Sequence, residues 1–188
     1  MLTVWNLALI VLGAALVCAW LSRPRFPVSF TARCVRVCDG DTIWVRRGMF
    51  RRRLKLRLIG MDAPESEQRF GLAAEKALSG YALGKTVRVT SIGTDRYGRW
   101  VSRVHVGGLD LSEAMIAQGL AWPYYAYFKN LTSAERSAYK TAFNAAKTAG
   151  IGLWQDNRPE PPWNWRKRHR TLFGRFVLWL MRLVHWHG

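Results

Sequence analysis

Five strand-like runs, three before a helix and two after it, constrain this fold more than any other feature of the chain. Residues 28–37, 42–47 and 53–59 read as strands, with Gly48 in the turn between the second and third. Gly71 to Leu83 reads as a helix closed by Gly84, a residue suited to a left-handed C-cap. Residues 86–92 and 99–106 return to strand, and Gly107-Gly108 makes a turn. Asp110-Leu111-Ser112-Glu113 resembles a capping box and opens a short helix ending at Gly119. Thr132-Ser133-Ala134-Glu135 begins a third helix, which ends at Gly150. The fold class expected is α+β: a five-stranded OB-type barrel with three packed helices, a platform that suits nucleic acids and oligosaccharides. There is no internal repeat.

The globular unit then spans residues 28–154, and the ends of the chain have a different character. From Leu2 to Leu21 the chain carries no charge. Twenty helical residues cross a hydrocarbon core of about 30 Å, and Trp5 and Trp20 fall where an aromatic belt would lie. Residues 1–22 are therefore expected to be a transmembrane helix or an uncleaved signal anchor. Secretion after cleavage near Val17-Cys18-Ala19 is the alternative, which the lack of a preceding Lys or Arg disfavours. Arg23 and Arg25 argue for a cytoplasmic domain and a secretory origin argues against it, so the sequence leaves the membrane side open.

Residues 155–170 form a Pro- and Trp-rich, then basic, linker that includes Arg166-Lys167-Arg168-His169-Arg170. Residues 171–188 place Phe173, Phe176, Val177, Leu180 and Val184 at helical spacing. This fits an amphipathic helix at a membrane interface, with packing back on the domain as the alternative.

Charge narrows the partner. With 29 Lys and Arg against 12 Asp and Glu, the net charge of +17 points to a polyanion, either nucleic acid or an anionic membrane face. The predominance of arginine favours bidentate phosphate contacts. Of the three cysteines, Cys34 and Cys38 lie on or beside one strand, about 13 Å apart at strand rise, too far to bridge. Cys18 lies in the apolar stretch.

Carboxylates are scarce, and several fall in three segments beside arginines: Asp39-Gly40-Asp41-Thr42, Arg57 to Glu65, and Asp95-Arg96-Tyr97-Gly98-Arg99. Asp41 and Asp62 sit at different strand ends and could converge on one hard cation such as calcium, to which Ala63 could add its carbonyl. Taken alone, Asp39-Gly40-Asp41 is an ordinary turn. Arg57 and Arg99 could stabilise charge on a phosphate, and Glu65 could orient or deprotonate water.

The motifs DGDT, RLIGMDAPE, TDRYGR, QGLAWPYYAY and GLW occur in this order over residues 28–154. In this the chain resembles the staphylococcal nuclease family. The resemblance implies that Asp41, Asp62 and the Ala63 carbonyl bind Ca2+, and that Arg57 and Arg99 grip the scissile phosphate. It also implies that Glu65 is a general base or water-positioning group, and that Tyr97, Tyr125 and Tyr127 line a nucleotide pocket. Two departures stand out: a short loop between Glu65 and Gly71, and alanine at 63 in place of threonine. The arginines of the 46–53 hairpin, Arg46, Arg47, Arg51, Arg52 and Arg53, read as a further grip on phosphate backbone.

The function expected is a membrane-anchored, calcium-dependent, nonspecific nuclease that cleaves DNA and RNA as a monomer. The 3′-phosphate ends follow from the resemblance. The alternative is a catalytically silent OB-fold module that tethers nucleic acid at a membrane.

Overall fold

The computed structural model describes residues 12–13, 25–48 and 53–169. The apolar stretch with Cys18, the hairpin tip with Arg51 and Arg52, Arg170 and the 171–188 segment lie outside the described residues, Leu12 and Gly13 excepted. Among the described residues no helix is long and apolar enough to cross a membrane.

The main elements among the described residues follow in the order β1 (Val28–Val37), β2 (Thr42–Arg46), β3 (Arg53–Leu58), β4 (Met61–Asp62), α1 (Gly71–Ala82), β5 (Thr86–Thr94), β6 (Trp100–Val106), β7 (Leu109–Asp110), α2 (Leu111–Ala117), β8 (Trp122–Pro123) and α3 (Ser133–Thr148). Short 3-10 turns occupy Tyr125–Asn130 and Gly152–Gln155. The main sheet runs β3-β2-β1-β5-β6-β7, and a parallel pairing of β3 with β6 closes five of its strands into a barrel. The five expected strands are these five. Closure removes the open edges that would otherwise invite pairing with other chains.

Alternation along the strands puts Phe30, Ala32, Cys34, Ile43, Val45, Leu56, Leu58, Val87, Val89 and Val104 into one apolar core. Helix α1 covers part of it with Ala74, Leu78 and Ala82, which recur at four-residue spacing on one face. β5 runs on to Thr94, beyond the end expected at Ile92, because a register shift between Ser91 and Gly93 lets pairing with β6 continue. Cys34 and Cys38 are free thiols.

Both later helices start on side-chain caps. Asp110 accepts from the backbone N–H groups of Ser112 and Glu113, and its other oxygen accepts the Tyr139 hydroxyl at 2.9 Å. Thr132 and Glu135 form a reciprocal capping box at the start of α3. Glu135 also receives Arg103 Nε at 2.5 Å and Arg103 Nη2 at 3.0 Å, tying α3 to β6.

Residues 156–161 do not run away from the barrel as a linker would, and the helical residues 162–169 follow them back across it. Asp156 pairs with Arg69, and the Gln68 side-chain amide donates to the Glu160 carbonyl at 3.2 Å. Trp163 packs on Trp122 and Tyr124 with ring centroids 5.8 and 6.1 Å apart. A composition rich in Pro and Trp supplies no core periodicity, yet its rings bury apolar surface against the domain.

The Arg103–Glu135 clamp makes stability depend on acid. Burial alone would raise the Glu135 carboxyl, but bonds from Arg103 and Thr132 hold it down at about 2. A depressed carboxylate stabilises the fold above its unfolded value near 4.5 and loses that contribution as pH falls toward 2. Arg103→Ala should cost about 2 kcal/mol at neutral pH in urea unfolding. The same variant should also flatten the decline in stability between pH 4.5 and 2.

Candidate active site

The turn after β1 and the end of β3 are stitched together by backbone. Cys38 N–H donates to the Thr42 carbonyl at 2.8 Å, and Leu58 N–H donates to the Asp41 carbonyl at 2.9 Å. Gly40 makes this turn possible: a Cβ there would lie 2.6 Å from Ala63 Cβ and 2.7 Å from Ala74 Cβ. Asp39-Gly40-Asp41 is thus a turn, and it also presses the Asp41 segment against Ala63.

A second turn follows at Gly60, whose φ of 75° and lack of Cβ clear the ring of Tyr139. It leads into β4, where Asp62 pairs with Trp122 of β8. The Gly60 carbonyl accepts Tyr124 N–H at 2.9 Å. The β4–β8 ribbon therefore sets Asp62 and Tyr124 beside the barrel end that carries Asp41 and Arg57.

Arg57 lies between the two acids. Its Nη1 donates to Asp41 Oδ2, and its Nη2 donates to Asp62 Oδ1 at 2.7 Å. All three side chains are buried, with exposures of 7%, 7% and 0% for Arg57, Asp41 and Asp62. Burial alone would raise the Asp41 carboxyl; Arg57, the Thr42 hydroxyl and Arg99 outweigh it and hold it below its usual value. Burial and the neighbouring Asp41 carboxylate push Asp39 up to about 7.

Arg99 approaches from just before the start of β6, the strand paired with β3. The Asp95 carboxylate accepts Arg99 Nε at 2.8 Å and the backbone N–H groups of Tyr97 and Arg99 at 2.9 and 3.0 Å. So oriented, Arg99 Nη1 reaches the Thr42 hydroxyl at 3.1 Å and lies 3.9 Å from Asp41 Oδ1. Glu65 sits on the short loop before α1, where its N–H donates to Gln68 Oε1 at 2.9 Å.

A cleft of about 650 Å³ gathers Asp41, Arg57, Ala63, Glu65, Arg99, Tyr97 and Tyr127. Asp62 lies beneath them, fully buried. Tyr125 is not among the lining residues; it is 58% exposed and its ring packs on Phe128 at 4.7 Å. Arg46, Arg47 and Arg53 are exposed at the far end of β2 and β3, with Arg46 directly opposite Arg53. Four residues along β3 put Arg53 about 13 Å from Arg57.

Several residues of the cleft escape a reading of the sequence. Tyr124 lines it, with the Arg57 guanidinium 6.0 Å from its ring centre. Asp95, within the TDRYGR motif, orients Arg99; its four-residue offset from that arginine is the available signal. Lys55 and Arg96 add positive charge. Arg166 enters from the helical residues 162–169 and bonds both Asp62 and Glu65. Nothing in its basic run marks it for the site.

The acids fit a hard, oxygen-seeking cation in kind. Asp41 and Asp62 are buried carboxylates on neighbouring strand ends, held near each other by a single guanidinium. Among the described residues no group of three His, Cys, Asp or Glu side chains could hold a metal ion by itself. A cation here would complete its shell with main-chain carbonyl, water or phosphate oxygen, as hard cations commonly do.

Known proteins share this chain's pattern. The family described as Staphylococcal nuclease homologue matches residues 55–156. A protein named "Uncharacterized endonuclease" from Escherichia coli O157:H7 is 36% identical over 148 residues, 78% of this chain and 92% of the relative. A namesake from Haemophilus influenzae is 36% identical over 141 residues, covering 74% of this chain and 75% of that one. A "Micrococcal nuclease" from Shigella flexneri is 34% identical over 167 residues, 84% of this chain and 92% of its own length. By these matches the chain belongs to the staphylococcal nuclease family.

Proposed function

We propose that this chain, a nuclease by family, is a calcium-dependent hydrolase that cleaves DNA and RNA with little regard to sequence. The observation that carries the reading is the buried Asp41–Arg57–Asp62 group, with Arg99 and Glu65 opening into the same cleft. Asp41, Asp62 and the Ala63 carbonyl would hold calcium, which when bound supplies fixed positive charge to the scissile phosphate.

This chain's own residues account for the rest. Arg57 and Arg99 offer N–H donors to the equatorial oxygens of the phosphate, where charge accumulates in the transition state. Thr42 and Asp95 hold Arg99, so little reorganisation is needed when substrate arrives. Glu65 takes a proton from a water molecule whose oxygen forms the new bond to phosphorus. The bond from phosphorus to the 5′ oxygen breaks, and that oxygen leaves with a proton from solvent. The 3′-phosphate product is carried by the family resemblance.

Tyr97, Tyr124 and Tyr127 present aromatic faces along the cleft. Stacking on such faces tolerates every base, which supports low sequence preference. Arg46, Arg47 and Arg53 extend positive charge along the sheet and support a wider grip on the nucleic-acid backbone. Attachment to a membrane through the apolar stretch 2–21 rests on the uncharged length of that stretch.

Glu65→Gln should lower cleavage of single-stranded DNA at least about a hundredfold, the scale for removing a general base. Arg57→Ala should lose at least as much; full activity in either folded variant would sink the mechanism. Excess EGTA should abolish cleavage, and end-group analysis of the products should find 3′-phosphates. Replacing Arg46 and Arg53 by Gln should leave the cleavage step intact and reduce the slope of log affinity against log salt by about 1 for each phosphate no longer neutralised.

A further inference from the structure

The basic run 166–170 reads in sequence as a solvated linker or a lipid-facing patch, but one of its arginines points into the active site. Arg166 Nη2 lies 2.6 Å from Asp62 Oδ2, and Nη1 lies 2.7 Å from Glu65 Oε1 and 3.3 Å from Asp62 Oδ1. With Arg57 on Asp62 Oδ1 as well, both oxygens of Asp62 are engaged by guanidinium groups. The Asp62 side chain is fully buried, whereas Arg166 is 40% exposed and reaches it from the cleft side.

Side-chain contacts help to seat the arm. Arg69–Asp156 and Arg168–Glu160 are ion pairs at the surface, each 2.8 Å or shorter, and such pairs contribute little. Firmer attachments come from the Trp163 ring on Trp122 and Tyr124 and from the Arg166 fork itself. None of these contacts is a pairing between barrel strands.

The carboxylates that Arg166 occupies are those the reaction needs. Arg166 Nη1 bonds Glu65 Oε1, so a water molecule must displace it to reach that oxygen. A divalent cation would compete with the Arg166 fork for the Asp62 carboxylate, because both are positive charges at one acid. A substrate phosphate, in contrast, offers the fork another bidentate partner.

We propose that Arg166 is a working residue of the active site, an internal cation that holds Asp62 and Glu65 until a divalent cation and a phosphate displace it. The closed arm thus keeps the nuclease idle, and substrate and calcium binding are linked through it. This inference rests on the calcium reading of Asp41 and Asp62.

Calcium binding to the full-length chain, measured by calorimetry without nucleic acid, tests the arm apart from catalysis. Arg166→Gln should bind calcium about tenfold more tightly, because an unfavourable opening step is removed from the apparent affinity. Trp163→Ala keeps the arginine and loosens its seat, and it should shift the affinity in the same direction. If Arg166→Gln alone tightens binding, the effect is only the missing positive charge, and the arm is overturned as a latch. Unchanged affinity in both variants also overturns it, while calcium binding itself leaves the calcium reading standing. No calcium binding in any of the three folded chains would overturn both.

Discussion

The guanidinium of Arg57 does at the end of the barrel what a metal does in many sites: it holds two buried acids at a fixed separation. Asp41 comes from the turn before β2, and Asp62 from the ribbon after β3. Each is paired with the guanidinium where it is buried, and burying an unpaired charge is among the costliest things a fold can do. Removing the guanidinium would leave Asp41 to Thr42 and Arg99 and Asp62 to Arg166, and it would take away a phosphate donor as well. Structure and chemistry share this one side chain, and the geometry of Thr42, Leu58 and Gly60 around it follows from that sharing.

The same logic explains why an acidic cleft suits a basic protein. Asp39, Asp41, Glu65 and Asp95 face a cavity meant for a polyanion and would repel it if left bare. Arg57, Arg99 and Arg166 each bond one or more of these acids or the buried Asp62, and Lys55 and Arg96 stand nearby. The site is thus neutralised from within, while the excess of +17 is carried by the chain as a whole. Long-range attraction then brings the nucleic acid in, and the local pairs decide what happens on arrival.

Much of this is legible in the sequence wherever a local rule applies. The capping residues Asp110 and Thr132 mark the starts of α2 and α3, and β1 occupies the residues its pattern selects. The DGDT, RLIGMDAPE and TDRYGR segments supply residues that meet in one cleft. What escapes is structure without local periodicity. A two-residue strand such as Met61–Asp62 has no alternation to read, yet its pairing with Trp122–Pro123 places Asp62 and Tyr124. Tyr125 and Tyr127 look equivalent in sequence, but the 3-10 turn they open sends one toward Phe128 and the other into the cleft. Arg166 is the furthest out of reach, because its contacts span about a hundred residues and depend on where Trp163 finds a ring to pack on.

These contacts also redraw the working unit. The family match begins at Lys55 and ends at Asp156, but no barrel closes over that range, because β3 needs β2, and β1 joins β2 to β5. Asp41 and Thr42 lie before the matched region and Arg166 after it, and all three bond to residues inside it or to one another. A fragment cut to the match would lose two strands, a proposed metal ligand and the hydroxyl that steadies Arg99. One extended to the arm would keep the active site together with the residue that restrains it. The chemistry of this chain is therefore a property of residues 28–169 acting together, with the acids supplied early, the arginines from the middle and one further cation returned from the end.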